Sequence, residues 1–175
     1  SNTPVLMELR IRTCHVRGSF VASDNKAPAI SSRALAQHPP AFDYDKLAHP
    51  PATFRHEKLK YEQRMPSAQR FIEEAALNEW MPGDVRGIAL IVQGGLYNTV
   101  IRAMQQVGLA DAEGRPRIDM LVLNVVYPLV PAEIERACAG RAAVLVIEEG
   151  QPEFIEKDVA TLVYRAGSPV RVHGK

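Results

Sequence analysis

The chain has 175 residues, 46% hydrophobic and 23% charged, the composition of a globular protein with room for one ordinary α/β domain and some peripheral material. Its 21 basic and 20 acidic side chains leave a net charge of +1, which excludes a general electrostatic attraction to nucleic acid or to a membrane surface. No apolar run approaches the roughly 18 residues of a membrane span, and the first residues lack a signal-peptide pattern, so a cytoplasmic location is expected.

Ser1-Asn2 reads as a tag scar, and both ends read as cut from a longer chain. From Val5 to Thr13 apolar Val5, Met7, Leu9 and Ile11 alternate with Glu8, Arg10 and Arg12, which predicts a half-buried strand. The stretch from Ala22 to Pro51 carries Pro28, Pro39-Pro40 and Pro50-Pro51 with little periodicity and is expected to be a linker. A length without structure is foreign to a compact domain, so it should join two.

Helix formers from Thr53 to Arg64 predict a helix that Pro66 ends or kinks, and Pro66 is well placed to sit in the first turn of the helix that follows. A second is expected from Ser67 to Trp80, with Ala68, Phe71, Ile72 and Ala75 as its stripe. Met81 to Asp84 then makes a turn. The continuous apolar run Gly87 to Val92 predicts a strand covered on both faces. A helix from Leu96 to Val107 should stop at Gly108. There follow a strand at Ile118 to Val126, a helix opening at Pro131, a strand at Ala142 to Ile147, a helix opening at Pro152, and a strand at Val170 to Val172. Strand–helix units with these spacings give a mostly parallel sheet between two helix layers, a three-layer Rossmann-like α/β domain.

The paired glycines Gly94-Gly95 stand where a buried strand turns into a helix. Unpaired amides at such a start can hold an anion, or glycine can serve only the tight turn and close packing. Neither GxGxxG nor GxxxxGK[ST] occurs, so no dinucleotide fingerprint or phosphate loop is present. Glu148-Glu149 end the third buried strand. Adjacent strand residues point to opposite faces, which excludes a close acid pair. One carboxylate is expected to bond backbone or a neighbouring domain, and the other to face solvent. Tyr127 to Pro131 reads as a proline-fixed turn.

His15, His38, His49, His56 and His173 show no ligand spacing, and CxxC, HExxH and GxSxG are all missing, so no metal ligand, cluster or hydrolase nucleophile is assigned. His15 ends the first strand, where it could face an active site. Cys14 and Cys138 are expected to be free thiols. No catalytic residue is assigned. The candidates for cofactor contact lie on one strand-end rim: Gly94, Gly95, Tyr97, Asn98, Glu148 and Glu149.

Three segments carry a resemblance: Gly87 to Val100 (GIALIVQGGLYNTV), Val125 to Pro131 (VVYPLVP) and Val144 to Glu156 (VLVIEEGQPEFIE). Together they resemble the alpha subunit of indolepyruvate:ferredoxin oxidoreductases, of the 2-oxoacid:ferredoxin oxidoreductase family, and more broadly the carboxyl-terminal domain of transketolase-type enzymes. The resemblance runs from Gly87 to Val163, and more weakly through Lys58 to Arg70 and the opening strand. Gln93 departs from the small residue the family places before its glycine, and the loop at 22–51 has no counterpart.

The resemblance implies an intact enzyme that oxidatively decarboxylates indolepyruvate or a related arylpyruvate to an acyl-CoA. It would use thiamine diphosphate, magnesium, coenzyme A and 4Fe-4S clusters, and pass electrons to ferredoxin. The family's diphosphate motif is missing, so these groups are expected on other domains. Residues 53–175 would then be an assembly domain, 1–20 a tag remnant and the last strand of a pyrimidine-type domain, and 21–52 a linker. Its partners would be the enzyme's other domains and subunits, with a homodimer as one arrangement, and neither nucleic acid nor membrane. Two other readings stand beside it: an independent nucleotide- or coenzyme A-binding enzyme using the Gly94-Gly95 helix start, and a plain interaction module.

Overall fold

The computed structural model describes residues 43–175 and, before them, only 6–8, 19, 21, 37 and 41. The chain divides into two units, Ser1–Tyr44 and Asp45–Lys175, and the second carries the fold. The strand expected at Val5 to Thr13 lies outside the described residues except at 6–8, which are exposed and form no ladder. Cys14, His15, His38 and most of the 22–51 segment also lie outside them.

Five strands form one sheet: β1 (Glu79–Met81), β2 (Val85–Gln93), β3 (Ile118–Leu123), β4 (Ala143–Ile147) and β5 (Arg171–His173). Their order is β1-β3-β2-β4-β5, with β1 antiparallel and the rest parallel. Within residues 45–175 the α-helices are α1 (Ala52–Leu59), α2 (Met65–Glu74), α3 (Tyr97–Gln106), α4 (Pro131–Cys138) and α5 (Phe154–Arg165).

From β2 the chain steps one way to β3 and then back across to β4 and β5. Right-handed crossovers must therefore put α3 on one face and α4 and α5 on the other. The core divides accordingly. Ala89, Ile91, Leu121, Leu123, Val144 and Val146 meet Ile134, Ala137, Ile155 and Val159 of α4 and α5. Leu90, Val92, Met120 and Val122 meet Val100, Ile101 and Met104 of α3. Period-two alternation in strands apolar on both sides produces both cores, and the expected three-layer Rossmann-like architecture is the one found. Cys138 is a buried free thiol in the first core, and burial pushes its pKa up.

Three expectations need correction. The helix expected to run to Trp80 stops at Glu74, and Glu79–Met81 is an edge strand paired to β3. Helix-favouring residues are overridden there by the ladder that Trp80 joins opposite Leu121. Pro66 neither ends nor sharply breaks the first helix. Lys60–Arg64 widens to a π-turn, and Pro66 sits in the first turn of α2, where its missing N–H leaves no bond unmade. Pro152 precedes α5 rather than opening it, since the helix begins at Phe154.

Helices α2, α3 and α5 end in the same Schellman geometry. In each, the two amides after the last turn return to carbonyls within it: Gly108 to Gln105 and Leu109 to Met104 in α3, Gly167 to Tyr164 and Ser168 to Val163 in α5. In α2 the donors are Ala76, to Glu73, and Leu77, to Ile72. Ala76 thus holds φ 47° at a position glycine fills in the other two.

Below the sheet, buried Asp119 ties the turn before β2 to the turn before β4. Its carboxylate accepts the Gly83 amide at 2.8 Å and the Arg141 guanidinium at 2.5 Å, while Arg86 lies 3.8 Å away. Arg141 and Arg136 both lie over the Trp80 ring, 5.3 and 5.2 Å from its centroid. Burial raises the Asp119 pKa, but the Gly83 and Arg141 hydrogen bonds outweigh it and hold the carboxyl below the usual range.

Replacing Ala76 by Gly is expected to stabilise the protein by about 1 kcal/mol in chemical denaturation, because it relieves the left-handed backbone. Asp119→Asn should cost about 3–5 kcal/mol at pH 7, since it leaves Arg141 uncompensated. A depressed carboxyl pKa stabilises fully above the unfolded value and fades as acid protonates the folded form. Wild type should therefore lose stability more steeply than Asp119→Asn below about pH 4.

Candidate functional site

Parallel strands bring their carboxyl ends to one rim. Gln93 of β2 is opposite Leu123 of β3, and Val92 is opposite Ile147 of β4. Gly94-Gly95, Asn124 to Tyr127 and Glu148-Glu149 therefore emerge side by side. The Gln93 side chain reaches across and accepts the Glu149 amide at 2.9 Å. This residue, where the resemblance departs from its family, is thus the direct link between two of the candidate pairs.

The two glycines do different work. A Cβ on Gly94 would stand 2.6 Å from Asn124 Oδ1 and 3.1 Å from the Leu123 carbonyl, closer than side chains pack. A Cβ on Gly95 would meet nothing within 4 Å. Gly94 is therefore glycine for close packing, and Gly95 faces open space. They form a 3-10 turn, Gly94–Leu96, that leads into α3 with no side-chain cap on its amides. Tyr97 packs half-buried against the α3 core, and Asn98 is exposed.

Glu148 takes the backbone-bonding role expected of one carboxylate. Its oxygens accept the amides of Ile155 at 3.0 Å and Glu156 at 3.1 Å, which places a full negative charge on the first turn of α5. Unpaired amides and the helix dipole both favour an anion there, so the protein fills that anion site with its own side chain. Glu149 contributes its amide to Gln93.

Sequence reasoning missed two asparagines that hold the middle of the rim. Asn124 donates to the Leu77 carbonyl at 3.0 Å and to Glu79 Oε1 at 2.9 Å. Buried Asn78 donates to Glu133 Oε2 at 2.7 Å and accepts the Val125 amide at 2.9 Å. The signal for Asn124 was a lone amide closing the apolar run Leu121 to Leu123. Asn78 gave none, because its role depends on β1. Tyr127 leaves this framework 71% exposed at the rim.

Among the described residues no three His, Cys, Asp or Glu side chains are grouped to hold a metal. No helix among them is long and apolar enough to cross a membrane.

Fold and rim together define an open, mostly parallel Rossmann-like α/β domain with its polar groups gathered at the strand carboxyl ends. Neither protein-family models nor curated proteins match the sequence. Among solved structures, a 2-oxoglutarate:ferredoxin oxidoreductase from Magnetococcus marinus with 2-oxoglutarate, coenzyme A and succinyl-CoA bound is similar over 73% of this chain, at 19% identity and a TM-score of 0.47. This chain spans 20% of that one, and a likeness of that degree carries no functional conclusion.

Gly94→Ala is expected to destabilise by about 1–3 kcal/mol through overpacking, whereas Gly95→Ala should be neutral or stabilising by up to about 1 kcal/mol. Glu148→Ala should cost about 1 kcal/mol, with Glu148→Gln recovering part of it. Urea unfolding of the full chain measures all four.

Proposed function

We propose that this chain is the transketolase C-terminal-like domain of a thiamine-dependent 2-oxoacid:ferredoxin oxidoreductase acting on indolepyruvate or a related arylpyruvate. Residues 53–175 form the domain, residues 21–52 link it, and residues 1–20 carry the last strand of a preceding pyrimidine-type domain. In the intact enzyme, thiamine diphosphate supplies the carbanion chemistry of decarboxylation. This chain's residues hold the neighbouring domains at their spacing and shape a channel for substrate or coenzyme A.

One observation carries the reading. The most specific of the resembling segments, Val144 to Glu156, is a single physical unit: strand β4 delivers Glu148, whose carboxylate caps α5 at Ile155 and Glu156. The separation between Glu148 and the Ile155-Glu156 pair is thus set by a hydrogen-bonded turn. The other resembling segments adjoin it on the same rim.

A nucleotide- or coenzyme A-binding enzyme remains the second reading, favoured by the open space at Gly95 and the uncapped start of α3.

Calorimetric titration separates the two. The full chain is expected to show no saturable binding of NAD, and no indolepyruvate-dependent reduction of a viologen dye on its own. Mixed with the separately produced thiamine- and cluster-bearing domains, it should restore dye reduction. Micromolar NAD binding, or failure of that complementation with all pieces folded, would overturn the first reading.

A further inference from the structure

Between the end of α2 and the first turns of α4 lies a pocket of about 260 Å³, lined by Glu73, Ala76, Asn78, Ala132, Glu133 and Arg136. Glu133 is only 7% exposed. Asn78 donates to its Oε2 at 2.7 Å, and Asn78 is itself fixed by the Val125 amide. The other oxygen, Oε1, accepts no hydrogen bond among the described residues. Every fully buried side-chain oxygen and nitrogen among those residues has a partner, so Oε1 is not sealed in and opens on the pocket. A carboxylate this deeply buried is costly unless its oxygens are satisfied, and one of these two is not.

The other charges of the pocket are unpaired as well. The Arg136 guanidinium lies over Trp80, 5.2 Å from the ring centroid, and makes no hydrogen bond or ion pair among the described residues. Glu73 has no partner among them either. Glu133 and Arg136 stand three apart on one helix, the spacing at which opposite charges ordinarily meet. They do not meet. Asn78 holds the one and Trp80 the other, so a single small pocket keeps a buried carboxylate and a free cation apart.

Opposite charges held apart are the complement of a ligand that carries both. We propose that this pocket binds a small neutral α-amino acid, its ammonium on Glu133 Oε1 and Glu73 and its carboxylate on Arg136. Size sets the class. Pockets for drug-sized ligands start at about 300 Å³. At about 30 Å³ for each water-sized group, the 260 Å³ here takes about nine, enough for valine or leucine and too few for a nucleotide. Charge narrows it further. A simple anion would meet two carboxylates, and a simple cation would leave Arg136 unpaired beside it. The methyl groups of Ala76 and Ala132 suit an aliphatic side chain. This site does not rest on the oxidoreductase reading, and the failure of either leaves the other standing.

Calorimetric titration of the full 175-residue chain with L-valine and L-leucine tests it. Saturable one-to-one binding is expected at or below the millimolar range. Isobutylamine lacks the carboxylate of valine, and 3-methyl-2-oxobutanoate lacks its ammonium. Each should bind about tenfold more weakly than valine, or weaker still, for want of a charge-assisted hydrogen bond. Glu133→Gln keeps an oxygen for Asn78 but turns an amide to the pocket, and should weaken valine by a similar factor. Arg136→Gln, at an exposed position, should bring valine down to the level of isobutylamine. Circular dichroism and thermal melting check that the variants stay folded, and Arg136→Gln decides alone should Glu133→Gln unfold. The proposal is overturned by any of three results: no saturation with either amino acid at about 10 mM, isobutylamine binding as tightly as valine, or valine binding indifferent to Arg136→Gln.

Discussion

The parallel register of β2 with both its neighbours is the constraint on which the rest of this domain depends. β2 is the middle strand, and Ala89 to Val92 are each paired on both sides. Four consecutive residues there are buried, so each face of the strand carries its own core. A slip of one residue would exchange those cores, sending Ile91 to the α3 side and Val92 to the α4–α5 side. It would also separate Gln93 from the Glu149 amide. The hydrophobic pattern of one nine-residue strand thus fixes the helix layers and the arrangement of the rim.

That strand and its parallel neighbours were legible because their signal is local. Runs such as Ile88 to Val92 and Val144 to Ile147 are long enough to read as doubly covered strands, and Gly108 marks a helix end by its own conformation. β1 was not legible. Three residues, Glu79 to Met81, follow a helix-favouring stretch, and only pairing with β3 makes them a strand. Two further errors came from proline. Pro66 stands in the first turn of the second helix as expected, but it does not end or kink the first, because a π-turn carries the chain through, and Pro152 was placed at the start of a helix that begins two residues later.

The candidate rim divides along the same line. Strand ends predicted which residues would assemble, because parallel topology gathers carboxyl ends. What each residue does there depended on contacts between strands. Gly94 is confined by the close approach of Asn124, Glu148 is held by the amides of α5, and Tyr97 packs on the α3 core. Of the two helix starts at the rim, α5 carries its own counter-charge and α3 carries none. Any anionic ligand reaching this edge therefore finds the α5 site already filled, and meets open amides only beside Gly95.

The same topology explains why the domain is finished at one face and open at the other. One crossover runs from β2 toward β1, and two run the opposite way, so handedness alone assigns one helix to the first face and two to the second. Five strands need more cover than one helix provides. The exposed side of β4 is therefore a consequence of strand order and not a packing failure. An isolated soluble domain would be expected to place polar side chains at Ile88 and Leu145, where the strand faces water. Their apolar identity instead matches the pattern of strands apolar on both faces.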